Sequence, residues 1–260
     1  MALRQRVKEV SVKGLCRVHT MRPFKKQKTV ILLYHKVQHE DLHDAGKLFK
    51  DQMVFLKENY KIIPLDELVS CFKNGKIISE HYAAVTFDDG YRDNFDIAYP
   101  VLKCLNIPAT IYLAPGYLDS NDTKYLTWDM VNEMIQSGLV QVGNHTYSHL
   151  VLSAHSKDLQ EKDIKKGRQM LEEMLDIEII SLAYPLGQRR HYTSDTLDIL
   201  ARDKYEFAVT AFTKNIEKPP TSIYEIPRVV MDGISSLEEF EIRLSGFWSN
   251  LQWCLSSIKK

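Results

Sequence analysis

The chain has 260 residues, of which 44% are hydrophobic and 26% are charged, and its 34 basic residues balance 34 acidic ones. This composition is typical of a soluble globular protein with a large core, and it argues against a disordered or a membrane protein. The formal net charge of +0 gives no indication of nucleic-acid binding, and the length fits one α/β barrel without requiring two domains.

The first predicted segment is a basic arm at residues 1–28. It holds nine Lys or Arg residues and one acid, Glu9, but no apolar run of the roughly 7 to 15 residues that a secretory signal needs. No stretch elsewhere approaches the roughly 20 apolar residues of a transmembrane helix. These features predict a cytoplasmic protein. The arm is expected either to be solvated or to make a peripheral contact with anionic lipid at the inner membrane face.

Residues 29–260 are predicted to form one domain in which strands and helices alternate. Continuous apolar runs predict strands at 29–34, 82–87, 108–113, 139–143, 178–184, 205–210 and 224–230. Helical spacing and end signals, such as Thr127 as an N-cap, predict helices at 47–59, 64–72, 92–105, 127–136, 156–175, 193–203 and 235–258. This alternation predicts a parallel α/β sheet, with seven strands where a regular barrel has eight.

Polar side chains follow several of these predicted strands. His35, Asp88, Asp89, His145 and the Tyr184-Pro185 pair all lie at strand ends. In a parallel barrel the carboxyl ends of the strands form one rim, where functional residues gather. We therefore expect these residues to converge on a single site.

The two histidines His145 and His149 are four residues apart, a spacing that lets two imidazoles reach one metal ion. The adjacent carboxylates Asp88 and Asp89 follow a buried strand. Together these residues predict a site with a metal ion, a water molecule, and one carboxylate left free as a base.

The letters Thr-Phe-Asp-Asp-Gly at 86–90 and His-Thr-Tyr-Ser-His at 145–149 closely resemble the first two motifs of the polysaccharide deacetylases, the NodB-type carbohydrate esterase family four. The resemblance runs from Tyr34-His35 to Arg228. It implies an α/β fold, a distorted (β/α) barrel of about seven parallel strands. It also implies a divalent ion, normally Zn²⁺, held by Asp89, His145 and His149, with Asp88 as the general base.

The resemblance also implies a backbone oxyanion donor, which falls on the N–H of Leu186. The family arginine that steadies the base is replaced here by Ala183. We expect Arg228 to substitute for it, with Asp232 as its candidate partner. The C-terminal Leu-x-His motif that supplies the general acid is missing. His35 resembles the histidine that takes this place in a subgroup, so it is predicted to be the acid.

The predicted function is metal-dependent removal of N-acetyl groups from an N-acetylated sugar or glycan. Without a secretion signal, the expected substrate is an intracellular precursor, such as a lipid-linked or nucleotide-linked sugar. One alternative is a hydrolase of another small amide, a formamide or a ureide. The other is a catalytically silent glycan-binding domain, an interpretation favoured by Ala183 and the missing Leu-x-His motif.

The remaining chemically notable side chains are predicted to be structural or solvated. The cysteines form no closely spaced pair and are interpreted as reduced thiols, with Cys104 packed in a helix. Trp128 is predicted to be a core aromatic, with the substrate cleft as the alternative. Histidines in polar stretches are expected to be solvated, with the first two as alternative cleft residues: His39, His43, His155 and His191.

Overall fold

The computed structural model describes residues 29–38, 44–74, 81–120, 122–212, 216 and 219–245. The predicted basic arm at 1–28, the residues His39 and His43, and positions 246–258 of the predicted closing helix lie outside the described residues. Those predictions stay predictions. No helix in the described ranges is both long enough and apolar enough to cross a membrane.

The strands and helices alternate along the chain. The strands are β1 (Thr29–Tyr34), β2 (Lys61–Ile62), β3 (Tyr82–Asp88), β4 (Ala109–Leu113), β5 (Val140–Asn144), β6 (Ser181–Ala183), β7 (Phe207–Val209) and β8 (Val229–Val230). The helices are α1 (Ala45–Asn59), α2 (Leu65–Lys73), α3 (Tyr99–Leu105), α4 (Pro115–Leu118), α5 (Trp128–Gln136), α6 (Lys157–Leu175), α7 (Ser194–Arg202) and α8 (Leu237–Leu244).

Among the described residues, the strands form one parallel sheet in the order β7-β6-β5-β4-β3-β1-β8, with β2 added beside β3. The segment from Ile226 to Val230, which ends in β8, connects the two ends of this sheet. Ile226 forms a parallel bridge with Val209 of β7, while Val229 and Val230 pair with β1. The sheet therefore curls until its first and last strands are connected, which confirms the predicted distorted barrel.

Alternation along β3 decides which side chains enter the barrel. Ala83, Val85 and Phe87 pack in the larger apolar layer, whereas Ala84 packs in a second cluster with residues from strands across the barrel. Successive side chains of a strand point to opposite faces, so Asp88 lies on the same inner face as Ala84. The strand thus delivers an acid to the inside of the rim.

Most predicted elements are confirmed, with corrections at their ends. Thr127 caps α5 by accepting a hydrogen bond from the Met130 N–H at 3.3 Å. The predicted helix at 92–105 begins instead with a π-helical turn, Asn94–Ala98, that continues into α3. The last three predicted strands are shorter than expected, and β2 was not predicted. Cys104 lies in α3 as expected but is exposed, because the buried face of this helix carries Tyr99 and Leu102.

Candidate active site

The structure brings the three predicted metal ligands together. Asp89 Oδ1 lies 3.4 Å from His145 Nε2 and 3.3 Å from His149 Nε2. One ligand atom from each residue lies within 4.8 Å of the other two. The three side chains come from the turn after β3 and from the loop after β5, neighbouring parts of the same rim.

A left-handed turn separates the two adjacent acids. Asp89 has φ 72° and Gly90 has φ 71°, and a Cβ added at Gly90 would lie only 2.6 Å from Leu113 Cδ2. Few residues other than glycine adopt such a conformation without strain. The turn lets Asp88 and Asp89 reach different partners although they are consecutive in sequence.

Two residues of the histidine loop also have positive φ, Thr146 at 62° and His149 at 56°. Helix α6 holds this loop, since the Asp163 carboxylate accepts hydrogen bonds from both the backbone N–H and the hydroxyl of Ser148. On the other side, the Gly116 N–H donates to the Tyr147 carbonyl at 2.9 Å. The spacing of the histidines alone does not reveal this support.

Gly167 of α6 lies directly beneath the histidine loop, and replacing it with alanine is expected to disturb the loop. A Cβ there would lie 2.6 Å from Asn144 Oδ1 and 2.8 Å from the Tyr147 backbone nitrogen. Such overpacking typically costs about 1 to 3 kcal/mol, more than the roughly 1 kcal/mol that alanine gains over glycine in a helix. We expect Gly167→Ala to lower the thermal melting temperature and to weaken metal binding.

Gly46→Ala in α1 is the matched control for Gly167→Ala, because its added Cβ meets nothing closer than 3.6 Å. It should melt at the wild-type temperature or above. If Gly167→Ala bound zinc as tightly as Gly46→Ala, the proposed support of the loop by α6 would be wrong.

The protonation states of the three residues fit a bound cation. His145 Nδ1 lies 2.8 Å from the Ala183 carbonyl oxygen, which accepts only, so Nδ1 carries the proton and Nε2 presents its lone pair. Burial would raise the pKa of Asp89, but the neighbouring His145 and His149 hold it at about 2. Burial, followed by the His145 ring, lowers the pKa of His149 to about 4. The carboxylate is therefore ionised and His149 is neutral at pH 7, as metal ligation requires.

Asp89 Oδ1 is buried and has no hydrogen-bond partner among the described residues. An unpartnered buried carboxylate oxygen is costly in a folded protein unless a cation or water satisfies it. Two imidazole nitrogens and a carboxylate form the donor set of catalytic zinc sites. The residues present therefore fit a divalent ion such as zinc.

The predicted base, Asp88, is paired with Arg228. Arg228 donates from Nη1 to Asp88 Oδ1 at 2.7 Å and from Nη2 to Oδ2 at 2.6 Å, and the two residues are 0% and 2% exposed. Further bonds to the Thr86 hydroxyl and the Thr210 carbonyl fix the guanidinium. Burial alone would raise the pKa of Asp88, but the charge and hydrogen bonds of Arg228, together with the charges of His145 and His35, outweigh burial, so the pKa is lowered and the carboxylate stays ionised.

The expected pairing of Arg228 with Asp232 is wrong, because Asp232 binds His35 instead. His35 Nδ1 lies 2.6 Å from Asp232 Oδ2, and the His35 backbone N–H donates to Oδ1 at 2.9 Å. Burial would lower the pKa of His35, but the hydrogen bond and charge of Asp232, with the charges of Asp88 and Asp89, raise it to about 9. His35 is therefore a protonated imidazole near the two acids at neutral pH.

The segment after β6 contributes through its backbone. The Ala183 carbonyl holds His145, as described above, while Leu186 has φ 59° and a side chain that is 50% exposed. The N–H of Leu186 donates no hydrogen bond to any described residue. Ala183, which stands where an arginine is expected, thus orients His145 through its carbonyl, and the N–H of Leu186 stays available within the described part of the chain.

The other side chains singled out in the sequence lie away from these contacts. Trp128 packs against the core and donates from Nε1 to Asp119 at 3.1 Å, as expected of a structural aromatic. His155 is exposed, and His191 caps a short 3-10 turn. Sequence reasoning missed the roles of Asp163, the Ala183 carbonyl and the partner of His35, since no local pattern marks them.

Comparisons with known proteins find relatives of this chain in sequence and in structure. A family model described as polysaccharide deacetylase matches residues 76–208. The protein YxkH of Bacillus subtilis is 30% identical over 188 residues, which cover 72% of this chain and 65% of YxkH. A poly-β-1,6-N-acetyl-D-glucosamine N-deacetylase of Staphylococcus epidermidis is 26% identical over 237 residues, covering 80% of each chain.

Solved structures with the same fold include the Streptococcus pyogenes deacetylase PplD in complex with acetate. It superimposes with a TM-score of 0.74 at 25% identity, covering 85% of this chain and 99% of that one. IcaB from Ammonifex degensii superimposes with a TM-score of 0.73 at 24% identity, covering 86% and 98%.

Proposed function

Because the chain belongs to the polysaccharide deacetylase family, we propose that it removes N-acetyl groups from an N-acetylated glycan with the help of one divalent metal ion. The observation that carries this proposal is the separation of the two adjacent acids. Asp89 lies against His145 and His149, whereas Asp88 is held apart, ionised, by Arg228. Metal-assisted amide hydrolysis requires one carboxylate that binds the metal ion and a second, ionised carboxylate that does not bind it.

The proposed substrate is a glycan that contains β-1,6-linked N-acetylglucosamine. The support is the resemblance to the Staphylococcus epidermidis enzyme, whose name states that activity. Zinc is the proposed ion, since the donor set consists of two imidazoles and a carboxylate.

Asp89, His145 and His149 would hold the ion, which when bound supplies a Lewis acid for the acetyl carbonyl and lowers the pKa of the attacking water. Asp88 accepts the proton of that water, with Arg228 fixing the direction of its oxygens. The N–H of Leu186 donates to the oxygen on which negative charge develops.

His35 donates a proton to the departing amine nitrogen. Its Nδ1 is bound to Asp232, so Nε2 is the atom left to donate. A pKa of about 9 keeps the imidazole protonated at neutral pH. The C–N bond breaks as the amine takes this proton, and acetate and a free amino sugar result.

The two ion pairs also bear on the silent-domain alternative. That interpretation rested on Ala183 in place of an arginine and on the missing Leu-x-His motif. Arg228 holds Asp88, and the pair of His35 with Asp232 provides an acid. Both chemical roles are therefore filled from other parts of the chain, which favours an active enzyme.

Product analysis tests the proposed reaction. The zinc-loaded protein is incubated with β-1,6-linked and β-1,4-linked N-acetylglucosamine oligomers, and acetate and new primary amines are counted. We expect one acetate for each amine, with faster release from the β-1,6-linked oligomer. Release of formate or ammonia from small amides, with no acetate from either oligomer, would support the other hydrolase class and contradict the proposal.

The dependence of the reaction on pH should follow His35. The protonated acid is present below its folded-state pKa and is lost as pH rises through about 9. Asp232→Asn removes the hydrogen-bonded charge that raises this pKa, so the alkaline limb of kcat/KM should move to lower pH, toward the ordinary histidine value of 6.5.

Asp96→Asn serves as the control for Asp232→Asn, because Asp96 pairs with Arg92 at the surface and is 48% exposed. It should leave the alkaline limb in place. The free energy of unfolding should depend on pH in the same direction as the rate. The pair of His35 with Asp232 stabilises the fold below pH 6.5, and this contribution is lost as pH rises through about 9. If the alkaline limb of kcat/KM is unchanged in Asp232→Asn, His35 is not the general acid.

A further inference from the structure

Four aromatic rings form a continuous stack that ends on a proposed metal ligand. The Tyr91 and Tyr125 rings are 5.3 Å apart at 26°, and Tyr125 and Tyr117 are 4.4 Å apart at 12°. Tyr117 in turn stacks on the imidazole of His149 at 5.7 Å and 24°. Offset stacking of this kind restricts the relative orientation of the rings.

The stack connects the two loops that carry the ligands. Tyr91 lies two residues after Asp89, and it forms an antiparallel bridge with Tyr125. Hydrogen bonds from the Leu126 N–H to the Gly90 carbonyl and from the Arg92 N–H to the Lys124 carbonyl, both 2.8 Å, hold these segments together. The stack is therefore anchored by backbone pairing at the Asp89 end and reaches His149 at the other.

The two histidine ligands are supported differently. His145 has a hydrogen bond from Nδ1 to the Ala183 carbonyl, whereas His149 Nδ1 has no hydrogen-bond partner among the described residues. Metal-ligating histidines almost always use their second nitrogen to fix the ring. The hydrogen bonds that hold the histidine loop fix its backbone at Tyr147 and Ser148, and they leave the rotation of the His149 ring to other contacts.

We propose that Tyr117, supported by Tyr125 and Tyr91, is a positioning residue that sets the plane of the His149 imidazole for metal binding. The stacked Tyr117 ring fixes the orientation of the His149 imidazole, as the Ala183 carbonyl fixes that of His145. The inference rests on the proposed metal site. It assigns to a residue outside the family motifs a direct effect on metal affinity.

The experiment compares zinc dissociation constants, measured by competition with a chelator, in full-length Tyr117→Leu, Tyr117→Met and Tyr117→Phe. Losing the stacked ring in the leucine and methionine variants should weaken zinc binding by about 10- to 100-fold, the range typical of losing a ligand's outer partner. Tyr117→Phe keeps the ring and should bind near wild-type affinity. The absorption spectrum of the Co²⁺-substituted protein should change in the first two variants only.

Phe95→Leu is the matched control, because it removes a comparable stack, that of Phe95 on Tyr99 at 5.6 Å and 24°, which includes none of the proposed ligands. It should lower stability without changing zinc affinity. If Tyr117→Leu does not fold, Tyr117→Met provides the same comparison, since methionine fills irregular apolar space well.

His149→Ala completes the comparison. In that background, Tyr117→Leu should have no further effect on zinc affinity, since the ring it orients is gone. If the wild type binds zinc and His149→Ala weakens binding, but both Tyr117→Leu and Tyr117→Met bind zinc like Phe95→Leu, the inference is overturned while the proposed function stands. If the wild type binds no zinc, the proposed function fails and the inference fails with it.

Discussion

Replacing Asp88 with asparagine is expected to lower kcat/KM for deacetylation by about 10²- to 10⁴-fold, the usual contribution of a positioned general base. Asparagine is nearly isosteric with aspartate but cannot take the proton of the attacking water. The metal ligands are untouched, because Asp88 contacts Arg228 rather than the histidines. The variant should therefore still bind one zinc ion per chain. Rates and zinc content measured on the same preparation check both statements.

The same change should also destabilise the protein, and this effect has to be separated from catalysis. Arg228 is 0% exposed, so Asp88→Asn leaves a buried guanidinium without its counter-charge. Removing one partner of a buried ion pair typically costs about 3 to 5 kcal/mol. The double variant Asp88→Asn with Arg228→Met removes both charges and should recover part of the free energy of unfolding while staying inactive. Wild-type turnover in either variant would contradict the role of Asp88 as base.

Replacing Asp89 with asparagine is expected to have the opposite pattern, with metal binding lost and the metal-free protein intact. Asp89 is one of three proposed ligands, so zinc affinity should fall by more than the roughly 10- to 100-fold typical of losing a ligand's outer partner. Metal-free stability should change little, because Asp89 Oδ1 makes no hydrogen bond that the variant would lose.

Thermal melting with and without zinc measures this difference. A ligand present at about 100 times its dissociation constant stabilises the folded state by about 2.7 kcal/mol, so wild type and Asp88→Asn should melt at a higher temperature when zinc is added. Asp89→Asn should not. The two neighbouring acids serve as controls for each other. An equal zinc-induced shift in both variants would show that Asp89 is not a ligand.

The ligands and the base were predictable because each lies at the end of a strand that the sequence marks clearly, or in the loop that follows it. Strand β3 is a buried run whose last residue is Asp88, and β5 ends one residue before His145. In a parallel barrel, strand ends meet at one rim whatever the details of the loops. The chain order of the elements was therefore enough to bring these residues together.

The partner of His35 was not predictable in the same way, because it depends on strand register. Val229 and Val230 pair with Leu32 and Leu33, and continuing this register places Asp232 beside His35. Strand β8 has only two residues, too few to give a periodic pattern from which register can be inferred. The expected pairing of Asp232 with Arg228 was wrong for this reason.

The aromatic stack was not predictable because its rings come from separate segments. Tyr91, Tyr117 and Tyr125 lie in three loops or short elements, and each looks like an ordinary surface or core tyrosine in its own stretch of sequence. Only the pairing of the turn after β3 with residues 124–126 brings them into one stack. Residues that support a site through tertiary contacts carry no local signature.

Titrating the metal-stripped protein with zinc, while counting acetate released from a β-1,6-linked N-acetylglucosamine oligomer, tests the proposed function most directly. We predict that acetate release is absent at the start, rises in proportion to added zinc, and reaches a plateau at one equivalent per chain. Each acetate should be matched by one new primary amine. Full acetate release before zinc is added, or one bound zinc per chain without any acetate, would contradict a metal-dependent N-deacetylase built on Asp88, Asp89, His145 and His149.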